Sequence, residues 1–400
     1  MVKRFEELYK LAEQQRADLV VRTYDFRVKN PMSVPKTFLD RAERTTQKDY
    51  AVIRNPQKMA TLYADTTAVV ADNLKIWSTR DKTSASVKAQ LEPAKAKFLS
   101  ELEQRKQNNF SILNSGQNVT SDAFSCPSLK VHDGGRSFDL LSKQYPPGVR
   151  CNFFVQEQLG SNFLYAYSDQ LIANRSANST ANSEVEKSSK RIYMNPDFEA
   201  TPKIFGETLR ALNDAGIPAE LKMLHRVQEL QDERASDTRG RNISCRGDGI
   251  VLYVDGIYAD QALKVVLDVA QENAVAFQDR DVSKVPLRIA PGIAIADEFG
   301  IKGHSTTSAV AEVLNCEATQ GLEHYRREVE AKANKMGINP KQLYKGLDTE
   351  KTTSRIRGLN DQPGTPKLGT KMGVGTNPKV SGFQQPSPGL TRQFGQGRSR

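Results

Sequence analysis

Six basic side chains in this chain have types and settings that could do chemistry: Lys222, His225, His304, Arg191, Arg226 and Arg288. Lys222 sits inside the apolar run Leu221-Lys222-Met223-Leu224. On the inner face of a strand it would lose water, and desolvation lowers an ammonium pKa toward that of a usable general base. On the outer face it would alternate outward with Glu220 as an ordinary solvated charge. His225 ends the same run with Arg226 beside it, and His304 lies in the glycine-containing stretch Phe299–Ser305 ahead of a helical pattern. Backbone N–H groups at such a helix start can receive an anion, and a capping loop with an incidental histidine is the alternative. Arg191 and Arg288 open or occupy strand-like runs, from which a guanidinium could grip a phosphate with two parallel hydrogen bonds or simply face water.

Several chemistries lack their parts. The sequence contains no GxxxxGK[ST], GxGxxG, HExxH or GxSxG, so P-loop, dinucleotide, zinc-protease and serine-hydrolase readings have nothing to stand on. Cys126, Cys151, Cys245 and Cys316 are far apart and form no CxxC or Cys/His group. They read as reduced thiols rather than a zinc site, and neither a metal nor an organic cofactor is expected. Arg246-Gly247-Asp248 reads as a turn before a strand.

The elements that must position these residues follow from periodicity. Up to about residue 110 the apolar spacing is helical: Phe5, Leu8, Tyr9 and Ala12, then Met59, Leu62, Tyr63, Val70, Leu74 and Trp77, then Val87, Leu91, Phe98 and Leu102 with Pro93 starting or kinking a helix. Polar residues at Asn108-Asn109 and Ser115–Asn118 mark a boundary. Beyond it, strand-like runs at Cys151–Val155, Phe163–Tyr167 and Arg191–Asn195 precede a helix with Thr201 and Pro202 as N-cap and first-turn residues and Gly216 as its stop. Strands at Ala219–Leu224 and Ile250–Val254 follow, then a helix carrying Tyr258, Ala262, Val265, Val266 and Val269. A run over Leu287–Ala296 broken by Pro291-Gly292, and helices near Thr307–Leu314 and Leu322–Met336, complete the pattern. Residues 174–190 are small and polar and read as a surface loop. The expected class is α+β: a mixed sheet with flanking helices over 111–347, a helical region over 1–110 before it, and a disordered basic tail over 348–400 after it.

Charge supports that division. The net charge is +10, and residues 351–400 carry nine Lys or Arg against Asp361, which places +8 of it in the tail. With nine Gly and five Pro in those 50 residues, ordering the tail would not be repaid by burial, and its cations would bind polyanions weakly and in a salt-dependent way. The first residues, Met1-Val2-Lys3-Arg4-Phe5-Glu6-Glu7, lack the apolar run of a Sec signal, and no stretch approaches the length of a membrane span, so synthesis in a cytoplasm without Sec export or membrane insertion is expected.

Five blocks in order, Arg191-Ile-Tyr-Met-Asn, Leu209–Pro218, Glu220–Leu224, Asp248–Val254 and Ala290–Asp297, resemble the HopA family of type III effectors of plant-pathogenic bacteria. Relatives of this domain also occur in gene clusters for lanthipeptide and thioamitide maturation, where they are thought to remove phosphate from phosphorylated Ser or Thr. The resemblance implies a secreted effector acting in a host cell, with a phosphothreonine-lyase-like pocket: Lys222 as base, Arg191 as phosphate clamp, His304 as acid with His225 in reserve, and Arg226 and Arg288 as further phosphate contacts. Elimination needs exactly such a base, cations and an acid, without a metal. The partners it implies are a phosphorylated peptide or a host signalling protein, with a secretion chaperone on the N-terminal helices. The alternatives are a non-catalytic effector that binds a host protein and a phospho-Ser/Thr elimination enzyme of peptide maturation.

Overall fold

The computed structural model describes residues 5–10, 13–39, 46–53, 55–73, 84–116, 127, 129–139, 163–171, 189–224, 228–231, 241–244, 248–298 and 306–344. Its centre is a six-stranded sheet in the order β3 (Phe163–Tyr167), β5 (Ala219–Leu224), β8 (Ile250–Asp255), β4 (Ser189–Met194), β10 (Ile293–Asp297), β9 (Leu287–Ala290). All five pairings are antiparallel. Two-stranded pairs β1 (Lys130–Asp133) with β2 (Arg136–Asp139), and β6 (Gln228–Gln231) with β7 (Arg241–Ser244), stand apart from it. The α+β class expected from the sequence is the one observed. Because β4 and β5 both pair antiparallel to β8 between them, they run parallel, and the helix Thr201–Asp214 that joins them makes a split βαβ unit.

Alternation gives this sheet two different faces. One carries Ala166, Leu221, Met223, Ile250, Leu252, Val254, Ile192, Met194, Ile293 and Ile295, all nearly excluded from water. The helices numbered in chain order as α1 (Phe5–Lys10), α2 (Glu13–Lys29), α3 (Pro35–Leu39), α4 (Gln47–Ile53), α5 (Pro56–Asp72), α6 (Ala85–Asn114), α7 (Thr201–Asp214), α8 (Ala259–Glu272), α9 (Ala274–Phe277), α10 (Thr306–Leu314) and α11 (Leu322–Lys335) build two cores. Phe5, Tyr9, Tyr63, Ala64 and Phe98 share the sheet's core with Phe205, Leu209 and Val266. Leu19, Val20 and Leu39 instead join Val310, Val313, Tyr325 and Val329 in the second. Each such fully buried large side chain contributes roughly 1.5–3 kcal/mol of transfer free energy.

The change in period near residue 110 is therefore a change of secondary structure within one continuous core. Asn109 lies nearly buried inside α6, which runs on to Asn114. Pro93 does not start a helix either: α6 passes through it over 30 residues, held by Val87, Leu91, Phe98 and Leu102 in the core. Close contact between α5 and α7 depends on Gly206, where an added Cβ would lie 2.2 Å from Val69 Cγ1. Thr201 is the first residue of α7 rather than its cap; Ala200 holds the cap position, and the Thr201 hydroxyl donates to Asp197 O at 2.8 Å. Gly216 follows the helix as expected, and the Ala219–Leu224 strand falls where the sequence places it.

Two arrangements pin the sheet's margins. Asp49 on α4 forms a buried ion pair with Arg280, whose Nε and Nη2 donate to Asn195 O and Oδ1, each at 3.1 Å. Gly292 closes this corner with φ +64°, and a Cβ there would lie 2.9 Å from the Phe277 ring and 3.1 Å from Arg280 Cβ. At the opposite end of β10, Asp297 takes Lys190 Nζ and the Tyr9 hydroxyl, both at 2.7 Å, while the next residue, Glu298, pairs with Arg191 on the other face. No described helix is long and apolar enough to cross a membrane. The Cys151–Val155 run, most of the 174–190 stretch and the tail lie outside the described residues.

Candidate functional site

The second face of the sheet is polar where the first is apolar. Its central row runs Tyr165, Lys222, Val251, Tyr193 across β3, β5, β8 and β4, and the adjacent row runs Tyr167, Glu220, Tyr253, Arg191. Residues two apart on a strand share a face, so Arg191 is brought beside Tyr193, and Tyr253 lies between the arginine and the two rows' acidic and basic partners on β5. Strand β3 is fixed to β5 at its end by Ser168, whose N–H donates to Ala219 O and whose Oγ accepts from Ala219 N–H, both at 2.8 Å.

Two cations meet on one ring. The Arg191 guanidinium carbon lies 4.8 Å from the Tyr253 ring centroid and Lys222 Nζ lies 5.4 Å from the same centroid. Both distances fall inside the reach of cation–π attraction. Arg191 also donates from Nε to Glu298 and from Nη1 toward the Tyr193 hydroxyl at 3.5 Å. The strand begins two residues before Arg191, at Ser189, so this arginine occupies the interior of the sheet face rather than its edge and is only 8% exposed.

Burial divides the titrating groups. Desolvation pushes Lys222 below the ordinary lysine value, reinforced by Arg191 and opposed by Asp248 and Tyr165. Arg191 is desolvated too, but Tyr193, Tyr253 and Asp248 outweigh that and hold it above the usual arginine value. Desolvation raises the phenols of Tyr165 and Tyr193, so both remain neutral hydrogen-bonding groups. The result is a permanent cation next to an amine eased toward its neutral form, walled by three tyrosines. Such a group of side chains can bind an anion with Arg191 and accept a proton on Lys222.

Of the six residues singled out in the sequence, the structure brings Lys222 and Arg191 together. Arg288 lies on the outermost strand and is half-exposed with its guanidinium on Asp281 Oδ1 at 2.9 Å. His225, Arg226 and His304 lie outside the described residues. Sequence reasoning missed Tyr165, Tyr193, Tyr253, Asp248 and Glu298. A signal existed for the tyrosines: Tyr193 is two residues from Arg191, and Tyr253 interrupts the otherwise aliphatic Ile250–Val254 run. Among the described residues there is no group of His, Cys, Asp and Glu able to hold a metal ion. A surface depression lined by Gln57, Lys58, Leu62, Phe110 and Glu199 lies on α5 and α6 and includes none of the cluster.

Residues 165–344 match the model of the HopA1 effector protein family. Two solved structures are similar to this chain. One is the effector protein from Pseudomonas syringae pv. tomato strain DC3000, at 12% identity over 46% of this chain and 76% of that one, with a TM-score of 0.30. The other is the effector protein from Pseudomonas syringae pv. syringae strain 61, at 10% identity over 47% of this chain and 76% of that one, also with a TM-score of 0.30. No curated protein matches.

Proposed function

We propose that the polar sheet face within residues 165–344, the stretch that matches the HopA1 effector protein family, takes a phosphorylated Ser or Thr side chain and eliminates the phosphate. The observation that carries this reading is the convergence of Arg191 and Lys222 on the ring of Tyr253. Arg191 holds the phosphate. Lys222, in its neutral form, removes the proton from the substrate Cα. The C–H electron pair forms the Cα=Cβ double bond, the Cβ–O bond breaks, and inorganic phosphate departs with that bonding pair. The dehydroamino acid stays in the peptide, and the lysine returns its proton to solvent. The neighbouring Arg191 favours the neutral amine, and the tyrosine walls provide a setting of low water content in which the phosphate–guanidinium contact is strong.

In this reading the substrate is a phosphorylated segment of a host signalling protein, reached after delivery of the effector into the host cell. The test is incubation of the full chain with a phosphothreonine peptide, followed by mass spectrometry for the dehydrobutyrine product. Wild type is expected to release phosphate, Lys222→Met to bind the peptide without converting it, and Arg191→Ala to lose binding. Phosphate release by Lys222→Met at the wild-type rate would remove the lysine from the mechanism. Arg191-dependent binding with no conversion by wild type would make the face a recognition surface without catalysis.

A further inference from the structure

Charge counting on this face gives a result that the lyase reading does not contain. The described ionic groups there are Arg191 and Lys222 on one side and Asp248, Glu298 and Glu220 on the other. With two cations against three carboxylates the cluster is net negative even when Lys222 is protonated, and more so when Lys222 is neutral. An ordinary monoanion meets no net attraction in either state.

The position of Glu298 sharpens this. A guanidinium offers two forked edges, one from Nε with Nη2 and one from Nη1 with Nη2. Glu298 sits on Nε, so it already takes half of the side-on fork. The other edge is directed by its Nη1 toward the Tyr193 hydroxyl, at the long distance of 3.5 Å. The guanidinium carbon lies 4.8 Å from the centroid of the Tyr253 ring. Arg191 therefore cannot turn a fresh fork to an incoming ligand without leaving both the ring and the hydroxyl. Bidentate capture through Nε and Nη2 requires the Glu298 carboxylate to step aside. Displacing it takes a stronger anion, because the Glu298 side chain is only 20% exposed and is paired with a buried guanidinium; once released, it stands one residue beyond the end of β10.

We propose that Glu298 is the specificity-determining residue of this site: it is a built-in competitor for Arg191 that only a dianionic phosphate monoester displaces. This rests on the reading of the face as a phosphate site. A phosphate monoester near neutral pH carries close to two charges and three acceptor oxygens, and it replaces the carboxylate with a stronger, two-point contact. A phosphodiester or a carboxylate brings one charge and exchanges like for like. The site accordingly accepts phosphorylated side chains and rejects the aspartate and glutamate side chains that outnumber them on protein surfaces.

Affinities of the full chain for methyl phosphate and dimethyl phosphate, measured by isothermal titration at pH 8, test the proposal. Wild type is expected to prefer the monoester by at least about tenfold. Glu298→Gln keeps the shape and removes the charge; it is expected to bind the monoester about tenfold tighter and to bring the diester to within about threefold of it, with roughly 1.4 kcal/mol corresponding to each tenfold step. Binding by Glu298→Gln with none detectable in wild type supports the same conclusion. Unchanged or weaker affinity of Glu298→Gln for both esters, with the wild type binding in an Arg191-dependent way, overturns the competitor role and leaves the phosphate site standing. If neither protein binds either ester, the phosphate reading itself falls and this inference with it. Glu298→Ala, checked by its melting temperature, separates a lost competitor from a lost fold.

Discussion

Arg280 and Arg191 are both withdrawn from water, with side chains 3% and 9% exposed, yet they are finished differently. Arg280 spends every direction of its fork on fixed partners: Asp49, Asn195 O and Asn195 Oδ1. Arg191 has one carboxylate at the end of a strand, one distant hydroxyl and a ring face. A closed fork has nothing left to offer a ligand, and it ties a helix near the N-terminus to the sheet corner. An incompletely closed one retains a capacity to exchange partners. Burial of an arginine by itself does not indicate a site; the difference lies in whether its partners can be released.

That contrast can be broken in measurable ways. Asp49→Ala should have the largest effect, about 3–5 kcal/mol of lost stability in denaturant melts, because it strands a charge with no route to water. A loss under about 1 kcal/mol would show that Arg280 is not held as tightly as its geometry implies. Gly292→Ala should cost about 1–3 kcal/mol, since φ +64° is strained for alanine and the new methyl meets both Phe277 and Arg280. Arg191→Ala should be milder on the fold, about 1–2 kcal/mol, because the Glu298 it leaves behind can be hydrated. Its main effect should be on phosphopeptide binding. An Arg191→Ala loss equal to that of Asp49→Ala would erase the distinction between the two arginines.

Lys222→Met should change stability least and carries a sign that can be checked. A lysine whose folded pKa is depressed binds fewer protons folded than unfolded, so the folded state gains stability as pH rises from that depressed pKa toward the ordinary value of 10.5. Wild type should therefore gain on Lys222→Met as pH is raised through this window, and the difference between their melting temperatures should be flat below it. Elimination, if Lys222 is the base, should rise with pH through the same depressed pKa. A melting difference that moves the other way would mean that Lys222 is held as a cation by its surroundings.

Local signals in the sequence recovered local structure well. The strand Ala219–Leu224, the helix Thr201–Asp214 with its glycine stop, and the hairpin around Pro291-Gly292 all follow from alternation, helical spacing and turn residues acting over a few positions. Lys222 and Arg191 were legible as candidates, though the strand through Arg191 starts earlier than its apolar residues suggest because Ser189 and Lys190 belong to it as well. Contacts across long separations were not legible. Asp49 and Arg280 are 231 positions apart, and nothing in either neighbourhood marks the other. Glu298 follows an alternating apolar run and looks like its polar end, and only the pairing of β10 with β4 turns it toward Arg191. Pro93 does not start a helix because four core side chains on the same helix outweigh its local cost.

Lys190 and Arg191 are consecutive on β4, and Asp297 and Glu298 are consecutive at the end of β10, so opposite charges meet on both faces of the sheet at once. A one-residue slip of β4 would carry the arginine to the oily side and the lysine to the polar one, a slip of β10 would do the same to the two carboxylates, and either leaves the charges facing the wrong partners. The same four residues thus act as a lock on strand alignment and frame the polar face that carries Arg191. Mutational drift that loosened these pairs would also permit misassembly of the sheet, which ties the setting of Arg191 to the accuracy of folding.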